Sequence, residues 1–291
     1  MRVTQGMLTN NMLNSLSNSY ERMAKYQEQL HTGKKISRPS DDPVVAMKGM
    51  EYRTNLTEIE QFNRNLSEVY NWMDNSDAAL DKATQVMHRV RELAVKASNG
   101  TYEENQRAAI GEEVEQLREH LISIANTQVA GKYIFNGTNT VEAPVAEDGT
   151  VNGTNTSAVN IEVSKGIEIR VNVNQQNVFS QDIFNDLEKL VEDLKGGATG
   201  EGIGEYLGTI DGHVDNMLAE RAELGARYNR VEMIEERVSQ QEVIATRVLS
   251  DNEDVDMEKA IINLKTQETI HRAALAAGAR IIQPTLMDFL R

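Results

Sequence analysis

The sequence predicts a mainly α fold: a long antiparallel helical rod with paired terminal helices and a small β-rich insert domain at the far tip. Three observations carry this. First, Ile59, Phe62, Leu66, Val69, Met73, Ser76, Leu80, Ala83, Met87, Val90, Ala94 and Ala97 recur at strict three- and four-residue steps, which is the spacing of one helical face. Second, both ends carry narrower seams of the same kind. These are Leu13, Leu16, Tyr20, Met23 and Leu30 at the start, with Gln27 in the one polar slot, and Ile261, Leu264, Leu275, Ile282, Leu286 and Phe289 at the finish. Third, Val159, Ile161 and Val163, then Ile167, Ile169, Val171 and Val173, alternate around Ser164-Lys165-Gly166, as a β-hairpin requires.

Taken in order, the first helix covers about residues 5–31 and stops at Thr32-Gly33, where glycine suits the left-handed cap position. A short basic linker, Lys34 to Ser40, leads to Asp41-Asp42-Pro43. Asp42 reads as an N-cap and Pro43 as the first helical residue. The helix that follows, about 43–98, would be about 80 Å long at 1.5 Å per residue, far beyond the usual length. Asn99-Gly100 ends it, and Thr101 with Glu104 reads as a capping box. That box opens a third helix with Ile110, Val114, Leu117, Leu121 and Ile124 on one face.

At Gly131 the character changes. Tyr133-Ile134-Phe135 reads as a strand entering a turn at Asn136-Gly137, and residues 137–157, rich in Gly, Asn and Thr, read as loop. After the hairpin, Ile183, Leu187, Leu190, Val191 and Leu194 mark a short helix ended by Gly196-Gly197. A second long helix starts near Glu205, with a seam from Leu207 to Leu249 interrupted by Arg221, Glu235 and Glu242. Asp251 to Asp254 is an acidic break or cap before the terminal helix. The expected division is 1–42 with 255–291 as an inner assembly domain, 43–131 with 205–254 as the rod, and 132–204 as a β-rich outer insert.

Composition agrees with long helices: 40% apolar residues but only 5% aromatic, and four prolines in 291 residues, since interior proline breaks helices. The net charge of −15 is uneven. Residues 1–40 hold six basic and two acidic side chains, and residues 255–291 five and four, so the middle carries −20. That balance argues against nonspecific nucleic-acid binding, which needs clustered positive charge. Near-neutral ends can pack densely against copies of themselves. No cysteine is present, so disulfides and thiolate metal sites are excluded. Met1 to Met7 lacks the apolar core of a cleaved signal, and no stretch approaches the roughly 18 apolar residues of a membrane span. Neither membrane insertion nor a Sec-type leader is expected.

No constellation for catalysis emerges. His31, His88, His120, His213 and His271 lie on separate segments without metal-ligand spacing. Gly200-Glu201-Gly202-Ile203-Gly204 follows no strand and lacks the lysine of a phosphate loop, so it reads as flexible linker. Asp251 to Asp256 places an aspartate where a calcium loop needs glycine. Five Asn-x-Ser/Thr triplets, at Asn55, Asn65, Asn99, Asn136 and Asn152, are chance matches in an Asn-rich chain. Cofactors: none expected, and no enzyme activity.

Several stretches resemble one family. Thr32-Gly33-Lys34-Lys35-Ile36-Ser37-Arg38-Pro39-Ser40-Asp41-Asp42-Pro43 is similar to the segment joining the first two helices of bacterial flagellins. Residues 88–101 resemble the ending of the first rod helix in that family, and Ala273 to Arg291 resembles its terminal assembly helix. Within it, Arg38 to Pro43, Gly131 to Gly137 and Gln283 to Leu290 fit best the members that join hook to filament; flagellins proper tend to carry Ala-Lys before the Asp-Asp pair and Ala-Gly after it. The resemblance covers about residues 1–137 and 205–291.

It implies a structural adaptor ring of the flagellum, assembled through the terminal helices, with Gly33, Arg38, Pro39, Asp41, Asp42 and Pro43 as linker and cap. Implied partners are further copies of the chain, the other hook–filament junction protein, flagellin, the flagellar export machinery and an export chaperone. The implied location is extracellular, reached by the flagellar type III route. Two alternatives stay open: a short flagellin filament subunit, and a cytoplasmic coiled-coil signalling or scaffold protein. Pro284 should kink the last helix, leaving open whether that helix is continuous.

Overall fold

A computed structural model describes residues 5–99, 103–152 and 157–282. Seven helices and four short strands follow in chain order: α1 Gln5–Thr32, α2 Pro43–Ser98, α3 Glu104–Ala125, β1 Gln128–Val129, β2 Lys132–Tyr133, β3 Asn160–Ser164, β4 Ile167–Arg170, α4 Gln175–Val178, α5 Gln181–Lys195, α6 Gly200–Glu253 and α7 Met257–Ile282. They form two compact units. One contains the chain up to Glu58 and from Gln241 onward; the other is Ile59–Gln240.

In the Ile59–Gln240 unit, the long seam read from sequence is the core. Leu66, Val69, Met73, Leu80, Ala83, Met87, Val90, Ala94 and Ala97 of α2 are all buried. The polar exception, Ser76, is buried too, and its hydroxyl donates to the Trp72 carbonyl at 2.8 Å, so no polar group is left unpaired there. Opposite lie Ile210, Val214, Met217, Leu224, Val231 and Val238 of α6, also buried. Arg221 and Glu235, which interrupt that seam, have partners on α2. Arg221 donates to Asp77 at 2.7 Å and to Asp81 at 2.6 Å, and Glu235 accepts from the Tyr70 hydroxyl at 2.7 Å. Tyr70 also meets Tyr228 edge-on, with ring centroids 5.2 Å apart.

α3 packs against α5 through a close approach at Gly111, where an added Cβ would come within 3.2 Å of the Leu194 side chain. α5 buries Ile183, Phe184, Leu187, Leu190, Val191 and Leu194, the amphipathic face expected of it. β3 and β4 pair antiparallel with Ile161 opposite Ile169, and Lys165-Gly166 makes the turn, Gly166 at φ 72°. Phe135 and Phe179 meet edge-on at 4.9 Å among the buried residues of this region.

Three expectations are corrected, and one element is new. The strand expected at Tyr133-Ile134-Phe135 ends at Tyr133, because Ala130 and Gly131, both at positive φ, turn β1 into β2 and make a two-residue ladder. Ile134 and Phe135 are fully buried in irregular chain. The second long helix starts at Gly200 rather than near Glu205, so the glycine-rich stretch is helix, not linker. Thr199 opens it: its carbonyl accepts from Ile203 N at 3.2 Å and its hydroxyl from Gly202 N at 3.4 Å. Gly200 lies so close to the Ser98 carbonyl that a Cβ would meet it at 2.5 Å. α3 is not opened by Thr101, which lies outside the described residues; it begins after Glu103, whose amide donates to the Gln106 side chain at 3.2 Å. Finally, α4 was not foreseen; it starts at Asn174, whose side chain accepts from Gln176 N at 3.3 Å.

Candidate assembly surface

The unit that holds both ends is built on α1 and α7, which pair antiparallel. Its linker is firmly wound. Gly33 has φ 70° and its amide donates to the Gln29 carbonyl at 2.9 Å, the left-handed helix stop expected there. Asp41 accepts from the amides of Ser37 at 3.2 Å and Arg38 at 2.9 Å. These amide donors, that of Arg38 foremost, hold the Asp41 carboxyl below its ordinary range. Asp42 caps α2, its carboxylate accepting from Val44 N at 3.0 Å and Val45 N at 3.1 Å, with Pro43 as the first helical residue. Arg38 and Pro39 line a cleft of about 240 Å³ together with Lys34, Ala46, Met50 and Glu253.

A clasp joins the end of α1 to the α6–α7 corner. Lys35 N donates to the Glu253 carbonyl at 2.6 Å and Val255 N to the Gly33 carbonyl at 2.9 Å. Lys34 Nζ lies 2.7 Å from Asp254 and 3.5 Å from Glu253, and Arg53 pairs with Glu253 at 2.7 Å. The hydrogen bond from Lys34 is the main reason the Asp254 carboxyl lies below its usual range. α7 then starts at Met257, with Asp256 accepting from Lys259 N at 3.1 Å.

Along the helix pair, the less exposed positions of α1 include Met12, Leu16, Ser19, Met23, Tyr26 and Leu30; those of α7 include Ala260, Leu264, Gln267, His271, Ala274 and Gly278. Both sets step 4-3-4-3-4, a heptad seam. At its centre Gln267 Nε2 donates to Ser19 Oγ at 2.8 Å, both residues being buried. Gly278 sits directly against the Met12 side chain.

The eleven terminal residues singled out from sequence therefore divide. Leu16, Met23, Leu30 and Leu264 lie on the half-buried shared face. Leu13, Ile261 and Leu275 are 48–54% exposed and point away from it, while Tyr20, 62% exposed, lies with its ring centroid 6.1 Å from that of His271. The side chain of Ile282, and Pro284, Leu286 and Phe289 altogether, lie outside the described residues. Sequence reasoning missed Ser19 and Gln267 at the centre. The signal was present: moving the seam by one residue at alternate positions gives the same heptad period with a smaller, more polar face.

Exposed apolar surface gathers on this unit. Of eighteen large apolar side chains exposed among the described residues, fourteen belong to it, including Met7, Val44, Met47, Met50, Val243, Ile244, Ile262 and Ile270. A unit of 109 of the 291 residues carries most of the exposed large apolar side chains among the described residues, which marks it as an interaction surface. The described residues hold no group of three or more histidine, cysteine or carboxylate side chains placed to bind a metal ion, and no helix among them is long and apolar enough to cross a membrane.

Comparison with known proteins agrees in both halves. The model for the bacterial flagellin N-terminal helical region matches residues 3–140, and that for the bacterial flagellin C-terminal helical region matches residues 207–290. Flagellar hook-associated protein 3 of Escherichia coli is 26% identical over 95% of this chain and 96% of its own. The flagellin of Bacillus subtilis is 26% identical over 97% of both chains. In solved structures, the flagellar junction protein FlgL from Legionella pneumophila superposes with a TM-score of 0.59, covering 71% of this chain and 99% of its own at 16% identity, a likeness of fold.

Proposed function

The chain belongs to the bacterial flagellin family, and from that premise we propose that it is a structural adaptor that joins hook to filament as a ring of copies. The observation that carries the assembly role is the concentration of exposed apolar side chains on the unit that holds both chain ends. The junction role, rather than bulk filament, is supported by the near end-to-end match to hook-associated protein 3, together with the Arg38-Pro39-Ser40-Asp41-Asp42-Pro43 linker.

In this reading Leu13, Tyr20, Ile261 and Leu275 meet neighbouring subunits, while Leu16, Met23, Leu30 and Leu264 hold the two ends together; Ile282, Leu286 and Phe289 would extend the contact. Gly33, Arg38, Pro39, Asp41, Asp42 and Pro43 set the corner between α1 and α2. Residues 1–42 with 255–291 act as the inner assembly domain, 43–131 with 205–254 as rod, and 132–204 as outer insert. The role is structural, with no substrate. Partners are further copies, the second junction protein, flagellin, the flagellar export machinery and a chaperone that covers the apolar ends beforehand. Export through the flagellar type III channel places the protein outside the cell.

A deletion strain tests the proposal. Loss of a junction protein leaves intact hooks and flagellin shed into the medium. The close likeness to a complete flagellin sustains the rival reading of a short filament subunit. Hooks without filament, and no flagellin in the medium, would establish that rival instead.

A further inference from the structure

In the Ile59–Gln240 unit, an open groove of about 400 Å³ runs between α2 and α6. Its floor is apolar, made by the buried Met73 and Leu224. The Tyr228 ring forms one wall, met edge-on by Tyr70 with ring centroids 5.2 Å apart. Two carboxylates, Asp74 and Asp77, stand on the rim, and they are not equivalent. Asp77 pairs with Arg221 at 2.7 Å. Asp74 is exposed and has no ion pair among the described residues. Tyr228 turns its hydroxyl to Asp74, and Glu232 and Glu235 add negative charge around that ring.

Gly225 lies in the same groove, in the middle of α6. Glycine inside a helix is less favourable than alanine. Elsewhere in this unit a close approach accounts for it: Gly111 faces the Leu194 side chain and Gly200 the Ser98 carbonyl. At Gly225 an added Cβ would meet nothing within 4 Å. Packing within the chain therefore does not require glycine here, and the space it leaves is open to a group from outside.

We infer that the groove takes a lysine or arginine side chain from a second copy of the chain, an inference that rests on assembly as a ring of copies. Such a side chain lays its methylene stem on Met73 and Leu224 and brings its charge to Asp74 and the Tyr228 ring. The bare backbone at Gly225 lets the stem come close to α6. Charge points to a second copy as the source. Residues 1–40 hold six basic and two acidic side chains, while the stretch between the two ends carries −20. One copy's basic end thus complements the acidic flank of the next.

Substitutions in the full-length chain, each expressed at equal level beside the parent and counted by mass spectrometry in purified appendages, test the groove. Asp74→Asn removes the charge and keeps the shape. It should be incorporated about tenfold less than the parent, the loss of one charge-assisted hydrogen bond. Asp74→Glu, which keeps the charge, should be incorporated like the parent. Gly225→Leu fills the groove and should be depleted as Asp74→Asn is, yet melt no earlier than the parent, because leucine is the better helix former. Gly225→Ala should raise the melting temperature by about 1–4 °C.

A benzophenone attached through Ala222→Cys, at an exposed position one turn before Gly225, identifies the occupant, since the natural chain has no cysteine. Irradiated appendages should yield a cross-linked dimer of the chain. A product with another protein only, or no product, would overturn the second copy as the source. Parental incorporation of Asp74→Asn, or of a Gly225→Leu chain that folds, would overturn the groove itself. So would depletion of Asp74→Glu equal to that of Asp74→Asn, which would trace the effect to shape, or early melting of Gly225→Ala, which would show that the fold needs the glycine. If Gly225→Leu does not fold, the two Asp74 variants decide. Incorporation is measured against the parent in whichever appendage the chain enters, so failure of the groove is distinguishable from failure of the junction role.

Discussion

Replacing Leu13 and Leu275 together by Ala should leave the monomer nearly as stable as before and yet cripple assembly. The two side chains are 54% and 50% exposed. Full burial of a leucine is worth about 1.5–3 kcal/mol, so the half still in water holds about 1 kcal/mol per residue for a neighbour to claim. Losing both weakens each subunit contact by about 2 kcal/mol, or about 30-fold. Alanine keeps helix propensity, so the monomer should melt within about 2–4 °C of the parent. Leu80→Ala, at a fully buried position, provides the opposite behaviour: about 2–5 kcal/mol of lost stability from transfer and cavity terms. Thermal unfolding by circular dichroism gives the first quantity. Motility on soft agar, with immunodetection of flagellin in the medium, gives the second. A double variant that melts as early as Leu80→Ala but still supports motility would refute the assignment of these two side chains to an outer contact.

Further outcomes follow from single contacts. Gly200→Ala would set its Cβ 2.5 Å from the Ser98 carbonyl oxygen; the backbone must shift, and we expect about 1–3 kcal/mol of destabilisation, read as a lower denaturant midpoint. Asp42→Ala removes the acceptor of two amides and should cost about 1 kcal/mol, with faster hydrogen exchange at Val44 and Val45. The clasp should weaken in acid. Asp254 has its carboxyl lowered in the folded chain by Lys34, so its contribution is present above the ordinary carboxylate value and is lost as pH falls through the lowered one. Amide exchange at Lys35 and Val255, corrected for intrinsic rates, should accelerate below about pH 4 and stay flat between pH 5 and 8.

The α2 seam was legible because twelve positions repeat one spacing and eleven are apolar, so no other secondary structure competes. The caps at Gly33 and Asp42 were legible for a local reason: each needs only its own few residues. The terminal seams were legible as helices but not in phase. Hydrophobicity pointed to Leu13, Tyr20 and Leu275, whereas the chain pairs through Ser19, Gln267 and Gly278. The start of α6 was hidden because glycine is a poor helix former; tertiary contact decides it, through Ile203 in the core and Gly200 against Ser98. In the insert, irregular chain is held by side chains: Asn126 pairs with both the amide and the carbonyl of Val145, at 3.1 and 2.7 Å, and Gln181 accepts from Val151 N at 2.8 Å. Such bonds leave no periodic trace.

The polar pairs across α2 and α6 have a mechanical side. An interface of leucine, valine and methionine resists being pulled apart, but its attraction is non-directional and changes little when one helix slides along the other. Hydrogen bonds and hydrogen-bonded ion pairs have preferred lengths and angles. Arg221 on Asp77 and Asp81, Tyr70 on Glu235, and Arg91 on Asp211 at 2.5 Å are spaced along the two helices like keys in a shaft. Each adds little to the strength of the seam against separation, since pairs this exposed contribute about 0–1 kcal/mol. Against shear along the helix axes they act together.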